Sequence, residues 1–168
     1  MFETETDIAS LQDLIDRSHI GATRQMRDIL TPERRLNARQ LVSYLQGTKH
    51  LALATVTARG EPRVSPVDGV FLWGRFTFGS TADSARMTHL RRRPAVSATH
   101  FIGDEIAITV HGRATLLPRG NPDAEAVAAE WTKVYNTSPW DMGANVILAR
   151  IEPERLYTFA QDPSKYPE

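Results

Sequence analysis

Three short strands separated by tight turns are encoded in residues 50–81, HLALATVTARGEPRVSPVDGVFLWGRFTFGST. From Leu51 to Val56 larger and smaller side chains alternate with the period of two that is typical of a β-strand. The segments ARGE and WG have the composition of tight turns and separate this strand from the two that follow. We therefore predict an antiparallel meander, and the rest of the fold is inferred outward from it.

Strand patterns continue toward the C-terminus. The segments AVSATHF and EIAITVHGRATLL predict two strands joined through Gly103 and Asp104, and NVILARIEP and RLYTF predict two more. Gly112 lies inside a long strand, which favours a bulge that bends a barrel, with close approach of a ligand as the alternative. Six or seven strands with few helices between them predict a mainly β fold, a closed antiparallel barrel with peripheral helices.

The chain of 168 residues has the length of one domain. Residues 1–36 are predicted to form a helical extension, in which Ile8, Leu11 and Ile15 recur at helical spacing. The barrel domain then occupies residues 37–168.

Two further helices have recognisable starts. Asn37 and Gln40 have the spacing of a capping box, which predicts a helix over about residues 38–46. Asn121 followed by proline predicts the cap of a second helix. The apolar stripe of that helix includes Trp131, which either belongs to the core or, with Tyr135 and Trp140, roofs a pocket.

The composition excludes several classes of function. Lys plus Arg and Asp plus Glu are both 20, so no overall field favours nucleic acid or an anionic membrane. Cysteine is absent, which removes disulfides and thiolate chemistry. The acidic N-terminus, and the lack of an apolar run near the about 18 residues of a membrane span, lead us to expect a cytoplasmic protein. No metal-ligand spacing, paired carboxylate or Ser-His-Asp order is recognisable, so we assign no metal ion and no catalytic side chain.

A candidate anion site lies in residues 76–94, FTFGSTADSARMTHLRRRP, where a strand passes through small hydroxyl residues into a helix. Such a junction presents free backbone N–H groups at the positive end of a helix dipole, which suits a phosphate. Ser80, Thr81 and Ser84 would be neutral donors, and Arg86 could add a charged one. The alternative is an ordinary N-cap at Asp83 or Ser84 with Arg86 in solvent. The arginines at 91–93 are interpreted as surface residues at a helix C-terminus.

Four pieces of the sequence resemble a known family when they are taken in order. They are LALATVTARGEPRVSPV, GRFTFGSTADSARMTHLRRRPAVSA, ITVHGRAT and ARIEPERLYTF, which fall within about residues 38–160. Together they resemble the flavin-binding split-barrel family related to pyridoxamine 5'-phosphate oxidase. The resemblance implies a six-stranded antiparallel split β-barrel with peripheral helices. It also implies a homodimer with flavin mononucleotide (FMN), or a related cofactor, in grooves at the subunit interface.

The resemblance also implies which residues bind the cofactor. The second strand of the meander would line the flavin ring, and the strand-to-helix turn would hold the phosphate. The ring residues are Arg63, Val64, Ser65, Pro66 and Val67. The phosphate residues are Gly79, Ser80, Thr81, Ser84, Ala85 and Arg86.

Three departures limit what can be carried over from the oxidases of this family. Ala85 stands where they often have a first phosphate-binding cation, and Ser65 stands where they have an arginine, which Arg63 could replace by turning inward. The C-terminal Arg and His of their substrate segment have no counterpart in AQDPSKYPE. We therefore do not expect vitamin B6 oxidation.

The leading hypothesis is an FMN-dependent oxidoreductase that exchanges hydride or electrons with a small organic substrate, without a catalytic side chain of its own. A deazaflavin-dependent reductase of the same fold is the first alternative. A non-catalytic flavin- or haem-binding module is the second, with His89 or His111 as the haem ligand. A nucleic-acid-binding barrel is disfavoured by the neutral charge.

Overall fold

The computed structural model describes residues 3–143 and 145–168. Its α-helices are α1 (Glu5–Ile20), α2 (Arg24–Ile29), α3 (Ala38–Tyr44), α4 (Ala85–Arg92) and α5 (Pro122–Tyr135). Its strands are β1 (Thr48–Val56), β2 (Pro62–Leu72), β3 (Arg75–Thr81), β4 (Ala95–Ile102), β5 (Ile106–Leu117) and β6 (Val146–Ala160). Single turns of 3-10 helix lie at Pro32–Arg34, Pro139–Asp141 and Pro163–Lys165.

The six strands form a closed barrel in the order β1-β2-β3-β6-β5-β4, and every neighbouring pair is antiparallel. The predicted meander is confirmed, because β1 pairs with β2 and β2 pairs with β3. Its inward-facing side chains, among them Leu53, Phe76 and Phe78, are fully buried. The predicted mainly β fold with peripheral helices is therefore confirmed.

One strand prediction is wrong: NVILARIEP and RLYTF are parts of the single strand β6. The apparent break at the proline is a bulge, since His111 pairs with Arg155 and Gly112 with Pro153, which leaves Glu154 as an extra residue on β6. A Cβ on Gly112 would lie 2.0 Å from the carbonyl oxygen of Glu152. The bulge interpretation of Gly112 is thereby confirmed, and close backbone contact is its cause.

The helix starts follow the caps that the sequence predicts. At α3 the Asn37 side chain accepts from the backbone N–H of Gln40, and the Gln40 side chain accepts from the backbone N–H of Asn37. Asn121 caps α5 by accepting from the N–H groups of Asp123 and Ala124. The α3 helix ends at Tyr44, two residues before the predicted end at 46.

The N-terminal extension is packed onto the barrel as part of the main core. Leu11, Leu14 and Ile15 of α1 belong to the same apolar cluster as the barrel interior. The Ser18 hydroxyl accepts from the N–H of Leu156 at 2.9 Å, and the His19 ring accepts from the N–H of Thr158 at 3.5 Å. These bonds join α1 to the outer side of β6. None of the helices within the described residues has the length and apolar character needed to cross a membrane.

Replacement of Gly112 by alanine tests the close contact at the bulge. Because the added Cβ would meet a backbone carbonyl, Gly112→Ala should lower the free energy of unfolding by about 3 kcal/mol. Gly143→Ala is the matched control, since among the described residues a Cβ there meets only Val146 Cγ2, at 3.9 Å. The control should stay within about 0.5 kcal/mol of the parent protein in urea unfolding. Equal stability of the two variants would contradict the described register.

Acidification tests the burial of His19, which is 1% exposed. Burial lowers the pKa of His19 from 6.5 to about 4. Between these pH values only the unfolded chain takes up the proton, so the stability that His19 provides when neutral is lost as the pH falls from 6.5 toward 4. At pH 5 the loss relative to pH 7 should be about 2 kcal/mol from this residue. His19→Gln, which keeps an acceptor, should lose less stability over the same interval, and an identical loss would contradict the assignment.

Candidate functional site

A cleft of about 290 Å³ opens where β2, β3, α4 and α5 meet. Its lining residues are Pro66, Val67, Asp68, Gly79, Arg86 and Trp131. Four of these six, Pro66, Val67, Gly79 and Arg86, are cofactor residues predicted from the sequence. Asp68 is an addition that brings a carboxylate to the cleft, and Trp131, one of the residues considered as a pocket roof, brings a large aromatic ring.

The turn between β3 and α4 is held rigidly by its own backbone. The N–H of Ala82 donates to the carbonyl of Asn145 at 2.9 Å, and the N–H of Ser84 donates to the carbonyl of Thr81 at 3.0 Å. The start of α4 is therefore fixed relative to β3 and to the first residues of β6.

Ser84 is the N-cap of α4, and its hydroxyl oxygen accepts from the N–H of Met87. The Ser80 hydroxyl also donates to the Ser84 oxygen, at 3.0 Å. With its oxygen used as an acceptor, the Ser84 hydroxyl still has its own hydrogen to donate. The N–H groups of Ala85 and Arg86, in the first helical turn, have no acceptor within the helix. Ser84 thus acts as the cap and also stands among several donors suited to an anion.

Among the arginines of α4, Arg86 is the one that lines the cleft, and it is half-buried. The guanidinium of Arg91 donates to the carbonyl of Ala82 at 2.5 Å, and that of Arg93 donates to the carbonyl of Ala58 at 3.0 Å. Arg91, Arg92 and Arg93 are all exposed. This agrees with their interpretation as surface residues at the end of a helix.

The first part of the predicted ring segment lies away from the cleft. Arg63 is exposed and pairs with Glu61 at 2.8 Å, so it does not turn inward in place of the arginine that Ser65 lacks. Val64 is 70% exposed on the outside of the barrel, and Ser65 is half-buried. Thr81 and Ala85 are exposed and, with Ser80 and Ser84, lie outside the cleft lining.

Helix α5 forms one wall of the cleft and is fixed at both ends. In its first turn Asp123 forms an ion pair with Arg150 of β6. At its last residue the Tyr135 hydroxyl donates to Asp68 Oδ2 at 2.8 Å. Between these ends Trp131 is 6% exposed.

Gly79 of β3 lies beside this wall. A Cβ on Gly79 would lie 3.8 Å from Trp131 Cη2 and 3.2 Å from Leu148 Cδ2. The indole nitrogen of Trp131 is buried and, within residues 3–143 and 145–168, has no hydrogen-bond acceptor. Trp131 is therefore both a core residue and a cleft residue, so the two interpretations from the sequence do not exclude each other.

Asp68 joins two other polar side chains into a cluster. Its Oδ1 lies 2.7 Å from His50 Nδ1, while its Oδ2 accepts from Tyr135. Burial, followed by the hydrogen bond to Asp68, raises the pKa of Tyr135 above its usual value, so the phenol stays protonated at neutral pH. No sequence motif indicates this cluster, because Tyr135 is 67 positions from Asp68 along the chain.

Another opening, of about 320 Å³, lies between α1 and the turn at Trp73 and Gly74. Its charged residues already have partners, since Arg75 pairs with Glu152 at 3.0 Å and Asp7 caps α1. It lacks a free helix N-terminus beside an apolar wall. The cleft at Arg86 is therefore the better candidate for a phosphate-bearing ring compound, although it is slightly smaller.

The cleft matches the groups of such a compound. Arg86 in the lining suits a phosphate, and the Ser84 hydroxyl and the free backbone N–H groups at the start of α4 precede it directly along the chain. Pro66, Val67 and the Trp131 ring offer apolar surface to a flat heterocycle. Groups of three or more His, Cys, Asp or Glu side chains able to hold a metal ion are not found in the part of the chain that the structure describes.

Comparison with known proteins agrees with this fold. The solved structures include a conserved hypothetical protein from Mycobacterium tuberculosis, with a TM-score of 0.68 at 16% identity, covering 82% of this chain and 92% of that one. An F420 reductase has a TM-score of 0.55 at 19% identity, covering 67% and 91% of the two chains. A FAD-binding protein from Mesorhizobium loti has a TM-score of 0.55 at 22% identity, covering 73% and 94%. The curated proteins contain no match.

The family assignment comes from the sequence itself. The family model described as pyridoxamine 5'-phosphate oxidase matches residues 38–159, which begin at α3 and end one residue before the end of β6. The match contains all six strands and the whole cleft and leaves out α1 and α2. This chain therefore belongs to the pyridoxamine 5'-phosphate oxidase family.

Proposed function

We propose that the protein is an FMN-dependent oxidoreductase that binds its cofactor in the cleft beside Arg86. The observation that carries the proposal is a cleft in which a half-buried arginine from the first turn of α4 faces apolar walls from β2 and α5. Family membership and the F420 reductase and FAD-binding neighbours support redox cofactor chemistry. When bound, the flavin supplies the capacity to accept or donate a hydride.

The chain's own part is to bind the cofactor, orient it and exclude water. Arg86 and the Ser84 hydroxyl would hold the phosphate at the start of α4. Pro66, Val67 and Trp131 would pack against the ring and remove water from its faces. The missing cation at Ala85 leaves Arg86 as the side-chain charge on the phosphate, which makes this residue decisive for affinity.

A deazaflavin such as F420 is the competing cofactor, because it also carries a phosphate and a flat ring. The exposed arginines at 91–93 could meet its acidic tail, but two of them already bind backbone carbonyls. We therefore place FMN ahead. A competition experiment with FMN and F420 on the same protein shows which of the two binds more tightly.

We also propose that the active protein is a homodimer that associates through one outer face of the barrel. The strand registers place the outward side chains of β2, β1, β4 and β5 side by side on this face. The sheet face, as we call it, consists of Ala52, Ala54, Val56, Pro62, Val64, Pro66, Ser97, Thr99, Phe101, Ala107, Thr109 and His111.

The composition of the sheet face supports a protein partner. None of its residues is Lys, Arg, Asp or Glu, and burial lowers the pKa of His111, which favours the neutral ring. Val64 and Phe101 are 70% and 59% exposed in the single chain. Pro66 belongs to both the sheet face and the cleft, so a second copy on this face would lie at the margin of the cleft.

FMN titration tests the cofactor site. The wild-type protein should bind FMN with quenching of tryptophan fluorescence, because Trp131 lines the cleft. Arg86→Ala should weaken FMN binding by about ten- to a hundredfold, the value of one charge-assisted hydrogen bond. Arg92→Ala removes the same charge from an exposed position on the same helix and should change affinity by less than about threefold. Failure of the wild-type protein to bind either FMN or F420 at micromolar concentration would refute the proposed function.

Light scattering tests the dimer. The wild-type protein should have twice the 18.8 kDa mass of the chain. Val64→Glu should give a monomer that remains folded, since Val64 is already 70% exposed in the single chain. Ile20→Glu, at a residue of α1 that is 77% exposed and lies off the sheet face, should leave the dimer intact. A monomeric wild-type protein, or a Val64→Glu variant that remains dimeric, would contradict the proposal.

A further inference from the structure

We propose that Asp68 lowers the reduction potential of a cofactor bound in the cleft, so that the bound cofactor is a stronger electron donor than it would be beside a neutral residue. This inference rests on the proposed function and deepens it, because it assigns a direction to the electron flow. No part of the resemblance to the family points to Asp68, and the inference comes from the position of its carboxylate.

The carboxylate lies next to the ring-binding surface. Asp68 follows Val67 directly and lines the same cleft as Pro66, Val67 and Trp131. Its side chain is 34% exposed, so it is partly withdrawn from water. A flat ring packed against Pro66 and Val67 would therefore have a carboxylate at its edge.

The Asp68 carboxylate is held in place from two sides. Tyr135 donates to Oδ2 at 2.8 Å, and His50 Nδ1 lies 2.7 Å from Oδ1. Two partners on separate elements, α5 and β1, leave the carboxylate little freedom to rotate away from the cleft. The position of its charge is thus built into the fold.

Of the charged residues that line the cleft, Asp68 is the one whose charge would act on the ring. Among the described lining residues the charged ones are Arg86 and Asp68. Arg86 belongs to the helix start that suits the phosphate, and a bound phosphate would compensate its charge. Tyr135 stays protonated and neutral, because its pKa is raised. The side chain of His50 is 88% exposed, so solvent screens the effect of His50 on the ring.

A fixed negative charge distinguishes the two redox states of the cofactor. Two-electron reduction of a bound flavin at pH 7 would be accompanied by uptake of one proton, so the ring would gain one negative charge, which a neighbouring carboxylate disfavours by Coulomb repulsion. The ratio of the affinities for oxidised over reduced cofactor should therefore be higher in the wild-type protein than in a protein with a neutral residue at position 68. A tenfold effect on this ratio corresponds to about 30 mV for a two-electron couple.

The test compares the midpoint potential of bound FMN in the wild-type protein, Asp68→Asn and Asp104→Asn, measured anaerobically at pH 7 against redox dyes. If the wild-type protein binds only F420, the same measurement uses F420. Asp68→Asn should raise the ratio of the affinities for reduced over oxidised cofactor about tenfold. This corresponds to an increase of about 30 mV in the midpoint potential of the bound cofactor. Asp104→Asn, at an exposed turn between β4 and β5, removes the same charge away from the cleft and should leave the potential unchanged.

An unchanged or lowered potential in Asp68→Asn overturns the inference while the proposed function stands, because the cofactor is still bound. If the wild-type protein binds neither cofactor, the proposed function fails first and the inference falls with it. If Asp68→Asn does not fold, as judged by circular dichroism, the midpoint potential of the cofactor bound to Tyr135→Phe tests the inference instead. Loss of that donor concentrates charge on the carboxylate and should lower the potential, and an unchanged or raised value overturns the inference.

Discussion

Strand β6 closes the barrel, and the positions of the other strands and of helices α4 and α5 follow from this closure. This strand pairs with β3 over its first residues and with β5 over nearly its whole length. It can follow both neighbours because the bulge at Glu154 changes its direction, and the bulge requires a residue without a side chain at Gly112. With β6 in place, β3 and β2 are aligned beside it and α4 and α5 are held against their ends.

The cleft is a consequence of this closure. Leu148 of β6 lies under Gly79, and Arg150 of the same strand holds the first turn of α5. The carbonyl of Asn145, just before β6, fixes the turn that leads into α4. The strand that closes the barrel thus also sets the distance between the helix that offers anion donors and the helix that offers an aromatic wall. Residues from four elements therefore meet in one cleft of the single chain.

Local signals predicted the features that local physics determines. The cap at Asn37, the cap at Asn121 and the strand-to-helix turn before α4 each depend on a few neighbouring residues, and each is where the sequence predicts it. The proline in β6 was misread as the end of a strand, because proline breaks an isolated strand and is tolerated at a bulge whose partner lies on β5.

The cluster around Asp68 was not predictable from the sequence, because its partners are His50 on the paired strand and Tyr135 at the far end of α5. The resemblance predicts that Arg63 lies near the flavin ring, and this stays a prediction. In the single chain the Arg63 guanidinium pairs with Glu61 two residues away. The resemblance therefore indicates a region of the barrel, but the partners of each side chain follow from this chain's own packing.

We propose that the start of α4 and Arg86 bind the anionic end of a redox coenzyme. FMN and riboflavin differ by the phosphate, so the ratio of their affinities, measured in the wild-type protein and in Arg86→Ala, tests this binding. We expect the wild-type protein to bind FMN at least about a hundredfold more tightly than riboflavin, from two or more charge-assisted bonds, and we expect Arg86→Ala to reduce this ratio by about tenfold or more. Equal affinities for the two flavins in the wild-type protein, or a ratio that does not change on loss of Arg86, would contradict it.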